Sequence, residues 1–203
     1  MRLLKAIPLS LFALSLLAPG AGALATGRNA HTTTLLPDGN ILVLGGVIGS
    51  ANTPTATGEI YFASAAAFGV GPTLPAARSS HTATLMGDGR VLVAGGFNSG
   101  TPLNTAYTYN PLTKSWSGAI TMTSARGAHT ATLINKGPLS GNVIICGGQA
   151  LTAMTTAGGI TNSCEVFFST ASGGVGAFGA MQPMTSARMG HTASAIVNGR
   201  VFA

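Results

Sequence analysis

Two kinds of short apolar run alternate along this chain. One opens on His-Thr, as in His81–Met86 (HTATLM); the other is continuous, as in Val91–Ala94 (VLVA). Gly87-Asp88-Gly89 joins them, and Asp and Gly tolerate the backbone angles of a tight turn. A continuous apolar run of this length reads as a strand buried on both faces. Beyond the N-terminus no stretch keeps an apolar period of 3.6 residues, so long helices are not expected.

The pattern recurs. Arg28–Gly46 reads RNAHTTTLLPDGNILVLGG, Arg78–Gly96 reads RSSHTATLMGDGRVLVAGG, and Arg126–Gly148 reads RGAHTATLINKGPLSGNVIICGG. A last copy, Arg188–Ala203, stops inside its second run. A period of roughly 50 residues predicts a stacked-repeat architecture. Within each unit the first strand is expected at His31–Leu36 or His81–Met86. The second is expected at Ile41–Leu44, Arg90–Ala94 or Asn142–Cys146. The third is Glu59–Phe62, the stretch around Tyr107-Thr108-Tyr109, or Cys164–Phe168. The fourth is a weak strand within Ala67–Leu74, one opening at Lys114-Ser115-Trp116, or a Gly-rich one around Phe178. The units run 28–77, 78–125 and 126–187, with a partial unit at 188–203.

Residues 1–25 have the features of a secretory signal peptide. Arg2 and Lys5 precede the apolar run Ala6–Ala18, and small residues follow at Ala21-Gly22-Ala23 and Ala23-Leu24-Ala25. The run is shorter than the ~20 residues that span a bilayer, so membrane contact is expected only through the secretion signal. The mature segment is 26–203, secreted or periplasmic. Of the 203 residues 46% are apolar and 7% charged, which argues against disorder by charge excess. The formal charge of +6 contains no basic stripe of the kind nucleic acid needs.

The motif R-x-x-H-T, the D-G turn, V-L-V-x-G-G, the strand-three aromatics Tyr61, Tyr109 and Phe167, and Trp116 in strand four together resemble the Kelch repeat. That resemblance implies an all-β fold of β-propeller blades, each of four antiparallel strands, with three complete blades and the start of a fourth. Phe68 and Phe178 stand near the Trp position in units one and three, and Asn135-Lys136-Gly137 replaces the D-G turn in unit three. A single blade cannot bury both its faces, and stacking blades around an axis does so. The pairs Gly45-Gly46, Gly95-Gly96 and Gly147-Gly148 fit places where backbones approach closely.

All four histidines, His31, His81, His129 and His191, occupy one repeat position. The four acids fall on two: Asp38 and Asp88 in the turn, Glu59 and Glu165 in strand three. A catalytic group is needed once, so no catalytic, cofactor or metal residue is assigned. Each His is expected to make a structural hydrogen bond. Arg28, Arg78, Arg126 and Arg188 are expected to tie the links between blades, the alternative being an anion-binding ring. Cys146 ends one strand and Cys164 starts its neighbour, which predicts a disulfide in a secreted chain.

Alternating strand direction puts the loops 47–57, 97–104 and 149–163 on one propeller face with the links between blades. Loops of varied length on a regular scaffold carry specificity, and Phe97, Asn98 and Asn104 are the candidate binding residues. The expected function is a secreted binding or scaffold module for a protein or glycan, without cofactor. One alternative is a fragment of a secreted copper-radical oxidase of the galactose-oxidase group. A structural surface repeat without a dedicated ligand is the other. Closed propellers have about four to eight blades, so the pattern predicts either a longer chain or self-association through open blade edges.

Overall fold

A computed structural model describes residues 22–150, 159–170, 174–196 and 200–203. The signal-peptide reading of residues 1–21 therefore lies outside the described residues. The described residues form strands, turns and a few bends, and among them no helix is long and apolar enough to cross a membrane.

Each complete unit is a meander of four antiparallel strands. In blade one these are Thr32–Leu35, Ile41–Leu44, Gly58–Phe62 and Ala67–Val70, paired in that order. Blade two has Thr82–Leu85, Val91–Ala94 and Thr105–Asn110. Its fourth strand is split into Ser115–Trp116 and Ile120–Thr121, both pairing with strand three. Between the two pieces the Ser117 hydroxyl accepts from Thr108 N–H at 2.9 Å. Blade three has Thr130–Leu133, Val143–Cys146, Cys164–Phe168 and Ala177–Met181. The last copy contributes the pair Ser194–Ala195 and Val201–Phe202.

The second strands show why a continuous apolar run is needed. Val91 and Val93 pack with Leu36, Leu42, Leu44 and Leu74 of blade one. Leu92 and Ala94, on the other face, pack with Val143, Ile145 and Phe167 of blade three. All four of these blade-two residues are fully buried. Blade two is thus a core layer for two neighbours. Strands three and four of each blade set a directly opposed aromatic pair, Tyr61–Phe68, Tyr109–Trp116 and Phe167–Phe178, at 5.1, 4.9 and 5.1 Å between ring centroids. Phe68 and Phe178 occupy the register position of the tryptophan.

The turn between strands one and two is conserved in geometry across the blades. Leu36 N–H donates to Asn40 O and Gly39 N–H to Leu36 O; Met86, Arg90 and Gly89 repeat this. In blade three Ile134 N–H donates to Asn142 O, and Gly141 N–H to Ile134 O. Gly39, Gly89 and Gly141 all have φ near +85° (84°, 84° and 87°). Gly141 therefore fills the D-G glycine position in unit three. The expected substitute, Asn135-Lys136-Gly137, lies in the inserted part of the turn.

The long loops after Gly-Gly are more ordered than expected. Val47–Ile48 pairs with Thr53–Pro54, and Phe97–Asn98 with Thr101–Pro102. These are two-stranded ribbons. They pair in turn with the links that open each blade: Arg28–Asn29 with Val47–Ile48, Ser79 with Phe97, and Gly127 with Gln149. Ribbons and links therefore share one face. Most of the third loop, residues 151–158, lies outside the described residues.

Cys146 and Cys164 are cross-strand partners, with Cα atoms 4.2 Å apart, and are joined by a disulfide. The bond replaces the Ala94–Ala106 pair of blade two. Closing a loop of this length stabilises by about 3 kcal/mol in the chain-entropy picture.

A Cβ on Gly96, where φ is +97°, would lie 2.6 Å from Ser79 O and 2.8 Å from the His81 side chain. Gly96→Ala is expected to cost roughly 2–4 kcal/mol, from strain and overpacking together. A Cβ on Gly87 meets nothing within 4 Å, and Gly87→Ala should leave stability unchanged or slightly raised. Urea melts of the two variants check this; equal midpoints would show that the close approach is not limiting.

Candidate functional site

The repeat arginines are the first chemistry-bearing groups to place. Arg78 Nη1 donates to Gly95 O and Thr105 O, both at 2.9 Å, and Nη2 donates to Thr105 Oγ1 at 3.2 Å. Arg126 makes the same set with Gly147 O (2.8 Å), Ser163 O (3.0 Å) and Ser163 Oγ (2.9 Å). Arg28 makes it with Gly45 O, Thr57 O and Thr57 Oγ1. The side chain thus clamps the end of strand two to the approach of strand three within its own blade. The link between blades is made by the arginine's main chain. Gly46, Gly96 and Gly148 N–H donate to the carbonyls of Arg78, Arg126 and Arg188 in the next unit, at 2.9, 2.9 and 2.8 Å. The arginines thus tie the links by bonding carbonyls, as expected, with the side chain anchoring the link to its own blade and the main chain joining it to the preceding one. With Arg78 and Arg126 fully buried and their Nη groups engaged within their own blades, the anion-ring alternative loses accessible donors at these two positions.

The strand-three acids complete this clamp. Glu59 pairs with Arg28 at 2.8 Å and accepts from Ala25 N–H at 2.8 Å. Glu165 pairs with Arg126 at 3.2 Å and accepts from Thr123 N–H and Oγ1. At the same register in blade two stands Tyr107, opposite Val93 as Glu59 is opposite Val43. Its ring lies 5.1 Å from the Arg78 guanidinium carbon, a cation–π contact in place of an ion pair. Burial lowers Arg78 to about 10, opposed by Tyr107, so it remains charged at neutral pH. Burial also lowers Arg126, opposed by Glu165.

The histidines join neighbouring blades. His81 Nε2 meets Thr32 Oγ1 at 2.9 Å, His129 meets Thr82 at 3.0 Å, and His191 meets Thr130 at 3.1 Å. Each His clasps the threonine that follows the histidine of the preceding blade. A second seam lies two residues after each arginine. Ser80 N–H donates to Ala30 O, Ala128 N–H to Ser80 O, and Gly190 N–H to Ala128 O. All four residues have positive φ, 51°, 50°, 52° and 61° in chain order. This ladder carries no side-chain signature beyond small residues, and the sequence reading missed it. The threonine partners were present in the motif as the T of H-T.

These placements bear on metal chemistry. Among the described residues no group of three His, Cys, Asp or Glu side chains could hold a metal ion. The galactose-oxidase pattern needs tyrosine ligands and a Tyr–Cys crosslink. Here the two cysteines are joined to each other, Tyr61 and Tyr109 pack on Phe68 and Trp116, and Tyr107 lies under Arg78. The donor set of this segment does not fit that copper centre.

What remains is the ribbon face. Between the ribbons of blades one and two lies a groove of ≈ 560 Å³, within the roughly 300–1,000 Å³ usual for ligand sites. Val47, Thr53, Pro54, Ser79, Phe97 and Ser99 are among its lining residues, with Asn52 and Gly100 at the ribbon tips. Of the three candidate binding residues only Phe97 lines the groove. A Cβ on Gly127 would lie 2.2 Å from the Phe97 ring, so the ring rests on that glycine and is half-buried. Asn98 and Asn104 are exposed on the same ribbon segment outside the groove. Asn104 O accepts from Met122 N–H at 2.7 Å, which is a structural contact. Asn52 and Ser99 were not singled out from sequence; their positive φ (50° and 47°) marks them as tip residues.

Residues 78–122 match the Kelch motif family. Among solved structures the chain is similar to YjhT, a Kelch-type β-propeller, with a TM-score of 0.65 and 15% sequence identity. The match covers 83% of this chain and 56% of YjhT, so the chain spans about half the length of that relative. At this identity the likeness concerns the fold. No curated protein matches the sequence.

Burial, followed by the nearby arginine, lowers His81 and His129 from 6.5 to about 3. Between those values the unfolded chain binds a proton at each site that the folded chain refuses. Stability therefore rises with pH in this window, and is lost as pH falls from about 6.5 towards 3. Replacing His81 with Gln should flatten that part of the curve, and urea midpoints measured against pH check it. An unchanged slope would show that the buried histidines do not set acid stability.

Proposed function

We propose that this chain of Kelch-type β-propeller blades is a non-enzymatic binding or scaffold module that engages a protein or glycan through its ribbon face. The observation that carries the reading is the groove between the ribbons of blades one and two. It is concave, and its tips, Asn52, Ser99 and Gly100, are exposed. The scaffold beneath it spends its arginines, histidines and buried acids on its own seams. Recognition on such a scaffold falls to the segments that vary between repeats, and here these are the ribbons.

The same reading takes the protein to be secreted. The charged start, apolar run and small residues of 1–25 support it, as does the Cys146–Cys164 disulfide, since such bonds persist in oxidising compartments.

The decisive experiment replaces the ribbon tip of blade two. Leu103 and Asn104 must stay, because Leu103 O accepts from Arg126 N–H and Asn104 O from Met122 N–H. Exchanging Asn98–Pro102 for a two-residue Asn-Gly turn should abolish binding of an extracellular partner and leave the thermal melt near that of the parent. Full binding by the shortened protein would place the partner elsewhere and refute the ribbon-face assignment.

A further inference from the structure

The charges of the described residues are sorted between the two propeller faces. Asp38, Asp88, Arg90, Lys136 and Arg200 lie in turns between strands one and two, and Lys114 in a turn between strands three and four. Both sets of turns are on the side opposite the ribbons. Ala63, after strand three, donates its N–H to Asn40 Oδ1, and Asp38 and Lys114 line one depression there. On the ribbon side, Arg28, Arg78 and Arg126 are withdrawn into the clamps with Glu59 and Glu165. Arg188 bonds Ala203 O. Among the described residues the ribbon groove has no charged side chain in its lining.

That absence selects among ligands. A charged group entering the groove would lose water without gaining a counter-charge. The described polar lining is made of Asn52, Thr53, Ser79, Ser99 and Gln149, whose amide and hydroxyl groups can each both donate and accept. Ligands dense in hydroxyls match this chemistry. A peptide added as a further strand does not. The outer strands of the ribbons, Thr53–Pro54 and Thr101–Pro102, each carry a proline, which has no N–H to offer. Among its described lining residues the groove has no arginine and one aromatic, Phe97, whose ring is seated on Gly127 and so offers a wall and not a free-standing hot-spot anchor.

We infer that the groove between the ribbons of blades one and two binds an uncharged oligosaccharide. This rests on the ribbon-face reading above and names its ligand class. Asn52 and Ser99 supply hydrogen bonds from the two tips, and Val47 and Phe97 give apolar walls for the C–H faces of the sugar rings.

The test is calorimetric titration of the disulfide-bonded chain with four neutral probes: maltohexaose, cellohexaose, chitohexaose and mannohexaose. A heparin hexasaccharide and an oligogalacturonate serve as charged probes. At least one neutral probe should bind, with an affinity unchanged between about 0.05 and 0.5 M salt. The pair Asn52→Gly and Ser99→Gly keeps the positive-φ backbone and should weaken that binding about tenfold or more. Lys114→Ala, on the opposite face, should not. The inference is overturned if no neutral probe binds, if only the charged probes bind, or if binding survives the glycine pair. A protein partner that is lost with the Asn98–Pro102 exchange, while every neutral probe fails, overturns the oligosaccharide and leaves the ribbon-face reading standing. Binding that survives that exchange overturns both.

Discussion

The second glycine of each Gly-Gly pair gives its N–H to the carbonyl of the arginine that opens the next blade. The first gives its carbonyl to the arginine of its own. This exchange fixes the distance at which two blades meet. A Cβ on Gly45, Gly95 or Gly147 would lie 2.4–2.6 Å from that next arginine's carbonyl oxygen. The approach leaves room for neither a side chain nor a water, so the carbonyls and guanidiniums must satisfy one another inside the protein. The rest of the interface follows from that spacing. At this distance histidine reaches threonine across the seam, and the second strands pack on both faces.

A buried guanidinium at every seam carries a desolvation cost, and the chain meets it in two ways. Blades one and three use a glutamate, and in blade three its second oxygen is held by the N–H of Thr123. Blade two uses an aromatic face. A cation–π contact is weaker than a buried ion pair, yet it leaves no carboxylate to desolvate. The two solutions at one register position show that the clamp requires the arginine fork. The acid beneath it is one way among others of tolerating the charge.

The architecture was legible in the sequence because its signals are periodic. Strand spans, the tight turns and the disulfide pair could be read from apolar runs and repeat offsets. The continuous run Ile41–Leu44 matches its observed strand, since burial on both faces leaves no polar alternation to blur its ends. Less was legible where main-chain geometry decides. The ladder through Ala30, Ser80, Ala128 and Gly190 uses backbone groups and tolerates any small residue, so it leaves almost no compositional mark. The ribbons read as loops because strands of two residues are too short to show any period. Gly141 was misassigned because an insertion moved it along the turn while its place two residues before strand two stayed the same. The candidate site was legible only as a face. Phe97 stands out as an aromatic, but its position after Gly-Gly lays it over the residue after the next arginine, where it packs.

That position explains how one scaffold can keep its seams and change its ligand. The residue after Gly-Gly is Val47, Phe97 and Gln149 in successive blades, each paired with a link residue, Asn29, Ser79 and Gly127. These pairings use main-chain hydrogen bonds, so the side chains can differ freely. Inward of them the arginine Nη groups and the histidine Nε2 atoms are committed to clamps and clasps, while the described ribbon tips of blades one and two stand exposed. Function is therefore confined to a layer one ribbon thick. The charges that hold the blades lie just beneath that layer, paired with Glu59 and Glu165 or set against the Tyr107 ring, and the described ribbons themselves carry none.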